Sequence, residues 1–172
     1  RILSFNGIDV VREYYINDAG EQIKLLGESI FSRWKQNFDS DYTFPENGYH
    51  GDYIVDLARG ISNEVDLTKL NPEQAIARCA DWGKEKMLEE IRRDLADFKT
   101  TFDVWYNESD LYSAGLLEKS LEMIRKTGQL YERDGAVWIK TSAFGDDKDR
   151  VVRKTDGHYT YFASDIFYHF EK

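Results

Sequence analysis

The sequence predicts an α/β fold, and three observations support this class. Residues 8–16 form a β-branched and aromatic run that is typical of a strand buried on both faces. An amphipathic helix follows, because one stripe carries apolar side chains three and four residues apart: Ile23, Leu26, Ile30 and Trp34. Asp134-Gly135 and Asp156-Gly157 each join two short runs of strand character, which indicates β-hairpins. Strands and helices therefore alternate along the chain.

The first elements flank the predicted strand. Residues 1–7 are interpreted as the end of a helix, with Gly7 as its left-handed C-cap. Asn17 or Asp18 is predicted to cap the amphipathic helix, and residues 37–48 are predicted to form a loop. The first helix has no start and the last has no stop signal, so we expect a longer parent protein.

Helices and then hairpins fill the remainder. Predicted helices cover residues 53–61, Pro72 to about Lys99, and 115–126. The long helix carries Leu88, Ile91, Leu95 and Phe98 on one face, and the third aligns Leu117, Leu121 and Ile124. The predicted hairpins pair residues 129–133 with 136–140 and residues 150–154 with 159–163. Ser164 or Asp165 is predicted to begin a last helix.

Composition limits the function classes. The formal net charge of −9 argues against an electrostatic clamp for nucleic acid and is compatible with a cationic substrate or with plain solubility. Cys79 is the only cysteine, is expected to be buried and inert, and excludes an internal disulfide. The three histidines are scattered, so no metal is assigned. No apolar run is long enough for a membrane span and no secretory signal is recognisable, which predicts a cytoplasmic protein without a membrane partner.

Two groups of side chains invite functional interpretations that we weigh against simpler ones. The acidic residues at 146, 147 and 149 could suggest a magnesium site, but a solvated turn is the commoner outcome. Five aromatic residues could stack on nucleic-acid bases, but they follow the core pattern and burial is expected for most of them: Tyr14, Tyr15, Trp34, Trp105 and Trp138.

Four segments in order resemble the signatures of arginyl-tRNA synthetases. They are REYYINDAGEQI (12–23), PENGYHGDY (45–53), YERDGAVW (131–138), and FGDDKDRV (144–151) with KTDG (154–157) and TYFASDI (160–166). Together they cover essentially the whole chain. Glu21 and Phe167 depart from the residues that are commoner in the family.

The resemblance implies part of a Rossmann-like, doubly wound parallel sheet with a helical and β-hairpin connective insertion. Residues 1–38 would begin the catalytic fold, 39–150 would form the insertion, and 151–172 would return to the catalytic fold. The implied activity is that of an arginine–tRNA ligase. Such an enzyme joins arginine to ATP as arginyl-adenylate and transfers the arginyl group to the tRNA 3′ end. Its implied partners are arginine, ATP with Mg²⁺, and arginine tRNA, which would be gripped mostly by other regions.

The resemblance also nominates site residues. Tyr161 and Asp165 match a Tyr-x-x-x-Asp element that would contact the substrate arginine, and the Asp165 carboxylate would pair with its guanidinium group. The simpler alternative is that Asp165 caps the last helix and Tyr161 packs beside it. Asp18 and Gln22 are candidates for the active-site wall, although a capping aspartate and a surface glutamine remain open for them.

The family's HIGH-type and KMSKS-type motifs are expected outside this sequence. Neither the phosphate-cradling helix start nor the lysine that steadies pyrophosphate would then be present. We therefore expect no catalytic residue among those given, no cofactor held by this stretch alone, and no aminoacylation by it alone. The rival hypothesis is a noncatalytic binding module that shares the fold.

Overall fold

The computed structural model describes residues 2–113 and 115–172. In chain order the elements are α1 (Ile2–Phe5), β1 (Glu13–Ile16), α2 (Glu21–Lys35), α3 (Asp52–Glu64), α4 (Pro72–Asp97), β2 (Val104–Asn107), α5 (Glu108–Ser113), α6 (Leu116–Lys126), β3 (Leu130–Arg133), β4 (Ala136–Ile139), β5 (Arg150–Arg153) and α7 (Tyr161–Glu171). Short 3-10 turns occupy Leu67–Lys69 and Thr141–Phe144. No helix within these ranges combines the length and apolar character needed to cross a bilayer. The α/β class is confirmed.

The chain divides into two compact units. Unit 1 comprises Arg1–Tyr14 and Asp18–Trp105, and unit 2 comprises Tyr15–Asn17 and Tyr106–Lys172. These units do not coincide with the predicted insertion over residues 39–150. The division into residues 1–38, 39–150 and 151–172 stays a prediction.

The first strand is shorter than predicted. Only Glu13–Ile16 is extended in a ladder, and it pairs with β2, which the sequence analysis did not identify. Tyr14 contacts Trp105 and Tyr15 contacts Tyr106, so the contacts advance in the same direction on both strands, as in a parallel pair. Residues 8–12 run outside the ladder, and the side chain of Val11 is 71% exposed. The expectation of a long strand buried on both faces was therefore wrong.

Unit 1 is a helical layer whose core lies between α2, α3 and α4. The predicted stripe of α2 is confirmed, because Leu26, Ile30 and Trp34 are buried while Ile23 is partly buried. Gly27 lets α2 approach α4 closely, since a Cβ built there would lie 2.5 Å from the carbonyl oxygen of Ile76. The crossing of these two helices therefore depends on a position without a side chain.

The long helix α4 begins where predicted but buries a different part of its length. The Asn71 side chain accepts from the Gln74 amide at 2.9 Å, and Pro72 occupies the first helical turn. Its buried residues lie in the N-terminal half, at Ala75, Cys79, Ala80, Trp82 and Gly83. The predicted stripe farther along is only partly covered and ends at Phe98, which is 82% exposed.

Unit 2 contains the antiparallel sheet β3-β4-β5, packed on α6 and α7. The first hairpin is confirmed, and its turn residues Asp134 and Gly135 have φ values of 52° and 77°. The second hairpin is reduced to one bridge between Arg153 and Tyr159, because the chain becomes helical at Tyr161. Phe167, one of the two departures from the family pattern, is fully buried in the core of this unit.

The aromatic residues are less buried than expected. Trp34 is a core residue, but the other four, Tyr14, Tyr15, Trp105 and Trp138, are only partly buried. Each of these four packs against another ring. Ring-on-ring contact thus replaces core burial for most of them.

Candidate functional site

The start of α7 is fixed by Thr160. Its hydroxyl donates to the Val151 carbonyl at 2.8 Å and accepts from the Ala163 amide at 3.3 Å, which ties the helix start to β5. A threonine hydroxyl in this position satisfies one of the unpaired amides of a first helical turn. The predicted cap at Ser164 or Asp165 was therefore wrong, and the helix begins earlier, at Tyr161.

Tyr161 and Asp165 lie on one exposed face of α7. They are four residues apart in the same helix, which places their side chains side by side, about 5–6 Å apart at the Cβ atoms. Tyr161 is 81% exposed and Asp165 is also exposed. In the part of the chain that the structure describes, no salt bridge or hydrogen bond engages the Asp165 carboxylate. The simpler alternative thus loses its support, because Asp165 is not the cap and Tyr161 is not packed away.

A partly buried polar cluster, which was not predicted from the sequence, borders this face. Tyr112 Oη lies 3.3 Å from Glu108 Oε1 and 2.9 Å from Ser164 Oγ. Glu108 is 5% exposed and Ser164 is 3% exposed, whereas Tyr112 is 44% exposed. One sequence feature could have indicated Glu108: an acidic residue directly after the run Val104–Asn107, at the carboxyl end of a strand, where ligand-binding groups gather.

The electrostatics of the cluster keep the Tyr112 hydroxyl protonated. Burial raises the pKa of Tyr112, the hydrogen bond with Ser164 lowers it, and the charge of Glu108 raises it again. The nearby Tyr161 hydroxyl also contributes to the raised pKa. The Tyr112 hydroxyl is therefore protonated at neutral pH and donates to Glu108.

Asp18 and Gln22 belong to unit 1, and their local roles differ. Asp18 is 8% exposed, and its carboxylate lies 3.4 Å from Lys84 Nζ on α4. It also lines a cavity of about 570 Å³ between α2 and α4. Gln22 is exposed in the first turn of α2.

The predicted cap of α2 was also wrong. The N-cap position of this helix is Gly20, with φ 86° and ψ −166°, a conformation that only glycine adopts readily and a residue without a side chain. Asp18 is instead used in a buried ion pair. The wall assignments of Asp18 and Gln22 remain predictions.

The acidic run after β4 is used within its own loop. Arg150 forms a bidentate pair with Asp146 at 2.8 and 2.7 Å and contacts Asp147 at 2.9 Å. Asp149 accepts from the Tyr131 and Ser142 hydroxyls at 2.8 and 2.6 Å. Within residues 2–113 and 115–172, no three His, Cys, Asp or Glu side chains gather as a metal site. The acidic residues of this loop are engaged by Arg150 and by neighbouring hydroxyls, and they do not fit a magnesium site.

Comparison with known proteins identifies related chains over the full length. The family model described as tRNA synthetases class I (R), catalytic domain, matches residues 1–171. Arginine–tRNA ligases from Geobacillus kaustophilus and Desulfosudis oleivorans are 46% and 49% identical, over 99% and 100% of this chain. The chain spans 31% of the length of each of these relatives.

Solved structures agree with this relationship. A structure from Campylobacter jejuni described as an arginyl-tRNA synthetase superposes with a TM-score of 0.89 at 36% identity, covering 99% of this chain and 37% of that one. The Thermus thermophilus arginyl-tRNA synthetase, at 23% identity, shares the fold with a TM-score of 0.63 over 98% of this chain and 30% of its own. The predicted Rossmann-like class I fold is thereby confirmed.

Proposed function

The chain belongs to the family of class I arginine tRNA synthetase catalytic domains, and from this we propose that it supplies part of an arginine–tRNA ligase. The full-length enzyme would join arginine to ATP as arginyl-adenylate, release pyrophosphate, and transfer the arginyl group to a ribose hydroxyl at the 3′ end of arginine tRNA. ATP with Mg²⁺, arginine and tRNA are its proposed substrates and partners. A noncatalytic module is not favoured, because the relatives that match the whole chain are named as ligases.

We place the proposed enzyme in the cytoplasm, where aminoacyl-tRNA is consumed by protein synthesis. The net charge of −9 supports a division of labour in which other regions hold the tRNA phosphates. This chain would then contribute recognition of the amino acid.

The observation that carries the proposal is the exposed pair Tyr161 and Asp165 on α7. A guanidinium group is a planar cation with five fixed donors, and a carboxylate can accept two of them in parallel. The Asp165 carboxylate is exposed and has no ion pair among the described residues, so it can receive such a fork. Tyr161 one turn earlier offers an aromatic face and a hydroxyl beside it.

The test is Asp165→Asn in the full-length enzyme, assayed by pyrophosphate exchange in the presence of tRNA, with arginine and ATP varied separately. The substitution keeps size and hydrogen-bonding capacity but removes the charge. Losing a charged hydrogen-bonding partner should raise the KM for arginine by ~10-fold or more, and leave the KM for ATP nearly unchanged.

The matched control is Asp94→Asn, which removes the same charge from an exposed position on α4. It should leave both KM values as they are. An unchanged arginine KM in Asp165→Asn would remove Asp165 from the arginine site and leave the proposal without its central residue.

A further inference from the structure

The hydroxyl of Tyr112 connects two helices at the edge of the candidate face. It contacts Glu108 at the start of α5 and Ser164 within the first turns of α7. Both partners are almost fully buried, and buried polar groups in folded proteins are nearly always hydrogen-bonded. The contact therefore satisfies polar groups on both helices at once.

The chemistry of the three groups gives the contact a direction. A carboxylate accepts only, so the tyrosine hydroxyl donates its hydrogen to Glu108. The tyrosine oxygen then remains as the acceptor for the Ser164 hydroxyl. Ser164 thus donates to Tyr112, and Tyr112 donates its only hydrogen to Glu108, so both contacts are hydrogen bonds.

Ser164 lies next to the two predicted arginine ligands. It follows Tyr161 by three residues and immediately precedes Asp165, so it borders the exposed face of α7 on its buried side. A bond to Ser164 consequently limits rotation of α7 about its own axis. Rotation of α7 about its axis would turn the face that carries Tyr161 and Asp165 away from a bound arginine.

We propose that Tyr112 is a positioning residue for the arginine site, because its hydroxyl holds α7 to Glu108 on α5 and so fixes the face that carries Tyr161 and Asp165. This inference rests on the proposed arginine-binding role of that face. Tyr112 acts through α7 and is not assigned a contact with the substrate.

Because Tyr112 is partly exposed, loss of its hydroxyl should affect the position of α7 more than the stability of the fold. The residue is 44% exposed, so water can reach the cluster and replace part of what a lost hydroxyl provided. Removing the hydroxyl should therefore cost little global stability. Water cannot restore a fixed link between two helices, so the geometry of the face should suffer more than the fold.

The experiment compares Tyr112→Phe and Ser164→Ala, singly and together, in the full-length enzyme. Each single change should raise the KM for arginine by about 5- to 10-fold, the range expected for one hydrogen bond, and leave the KM for ATP within about 2-fold. The double variant should be no worse than the more affected single variant, because both changes remove the same link. Tyr131→Phe is the matched control, since it removes another tyrosine–carboxylate bond in unit 2, to Asp149, and should not change the arginine KM.

The outcomes distinguish this inference from the proposed function. If Asp165→Asn raises the arginine KM and Tyr112→Phe does not, the positioning role is wrong and the function stands. If Tyr112→Phe raises the KM values for arginine and ATP equally and lowers the melting temperature, the residue is merely structural. Additive effects in the double variant would also overturn the proposed link. If Asp165→Asn has no effect on arginine, the proposed site fails and this inference fails with it.

Discussion

Replacing Gly27 by alanine should loosen the core of unit 1, although alanine is the better helix former. A Cβ at this position would lie 2.5 Å from the Ile76 carbonyl oxygen, 2.8 Å from the Ala80 Cβ and 3.0 Å from the Ala80 amide nitrogen. Two of these three atoms belong to the backbone of α4, so relief requires the two helices to separate. Overpacking of this kind costs about 1–3 kcal/mol, whereas the gain in helix propensity is about 1 kcal/mol. If the clash costs about 2–3 kcal/mol, the substitution destabilises unit 1 by about 1–2 kcal/mol after the gain in helix propensity.

Hydrogen–deuterium exchange, followed peptide by peptide in the full-length enzyme, measures this effect locally. A loss of 1–2 kcal/mol should accelerate exchange of the slowest amides in α2 and α4 by about 5- to 30-fold, and leave α6 and α7 unchanged. Ala77→Gly is the control, because Ala77 is exposed on α4 and the change reports the propensity term alone. Unchanged or slower exchange in α2 and α4 of Gly27→Ala would refute the reasoning that the helices are in closest contact at this glycine.

Two further predictions concern single ionisable groups. Cys79 is fully buried, and burial raises the pKa of its thiol to about 12. Alkylation by iodoacetamide at pH 8 should therefore be negligible in the native enzyme and rapid in denaturant, as mass spectrometry of the Cys79 peptide would measure. Alkylation of Cys79 in the native enzyme would contradict the packing of α4. The pKa of Asp149 is lowered by its hydrogen bonds, first by those from Ser142 and then by that from Tyr131. Ionised Asp149 therefore stabilises the loop at pH values above the ordinary carboxyl pKa of ~3.9. This stabilisation is lost as the pH falls through the lowered pKa of Asp149 in the folded protein. Carboxyl-carbon NMR should show Asp149 titrating below an ordinary aspartate, and Tyr131→Phe should move it back upward; a normal midpoint would disprove the loop contacts.

Local patterns predicted much of this fold because their causes are local. The stripe of α2, the Pro72 start of α4 and the Asp134-Gly135 turn each depend on residues within a few positions of one another. The strand β2 and the helix α5 were missed because four and six residues are too few to establish a period. The capping role predicted for Asp18 was wrong for a different reason: its ion-pair partner Lys84 is 66 residues away, and no local pattern indicates such a pair.

Tyr161 and Asp165 were predicted from a family motif. The structure places both residues in one helix, α7, where the sequence predicted a strand followed by a helix. The predicted strand over residues 159–163 and the predicted helix start at Ser164 or Asp165 placed Tyr161 and Asp165 on either side of a strand-to-helix junction. The alternation of residues 159–163 resembles a strand, but Thr160 can cap a helix and does so. The meeting of Glu108 and Tyr112 with Ser164 could not be predicted, because Tyr112 and Ser164 are 52 positions apart.

The placement of both proposed arginine ligands, Tyr161 and Asp165, inside one helix has a consequence for amino-acid selection. In a junction, the separation of Tyr161 and Asp165 would vary with the loop; on α7 it is set by the helical repeat. A planar guanidinium can therefore meet the Asp165 carboxylate with one edge while its face lies toward the Tyr161 ring, and both contacts are fixed together. A lysine ammonium has no planar edge to present, so it would satisfy the carboxylate without matching the spacing. Selectivity for arginine would then depend on whatever holds α7 in place, because a turn of the helix changes both contacts at once.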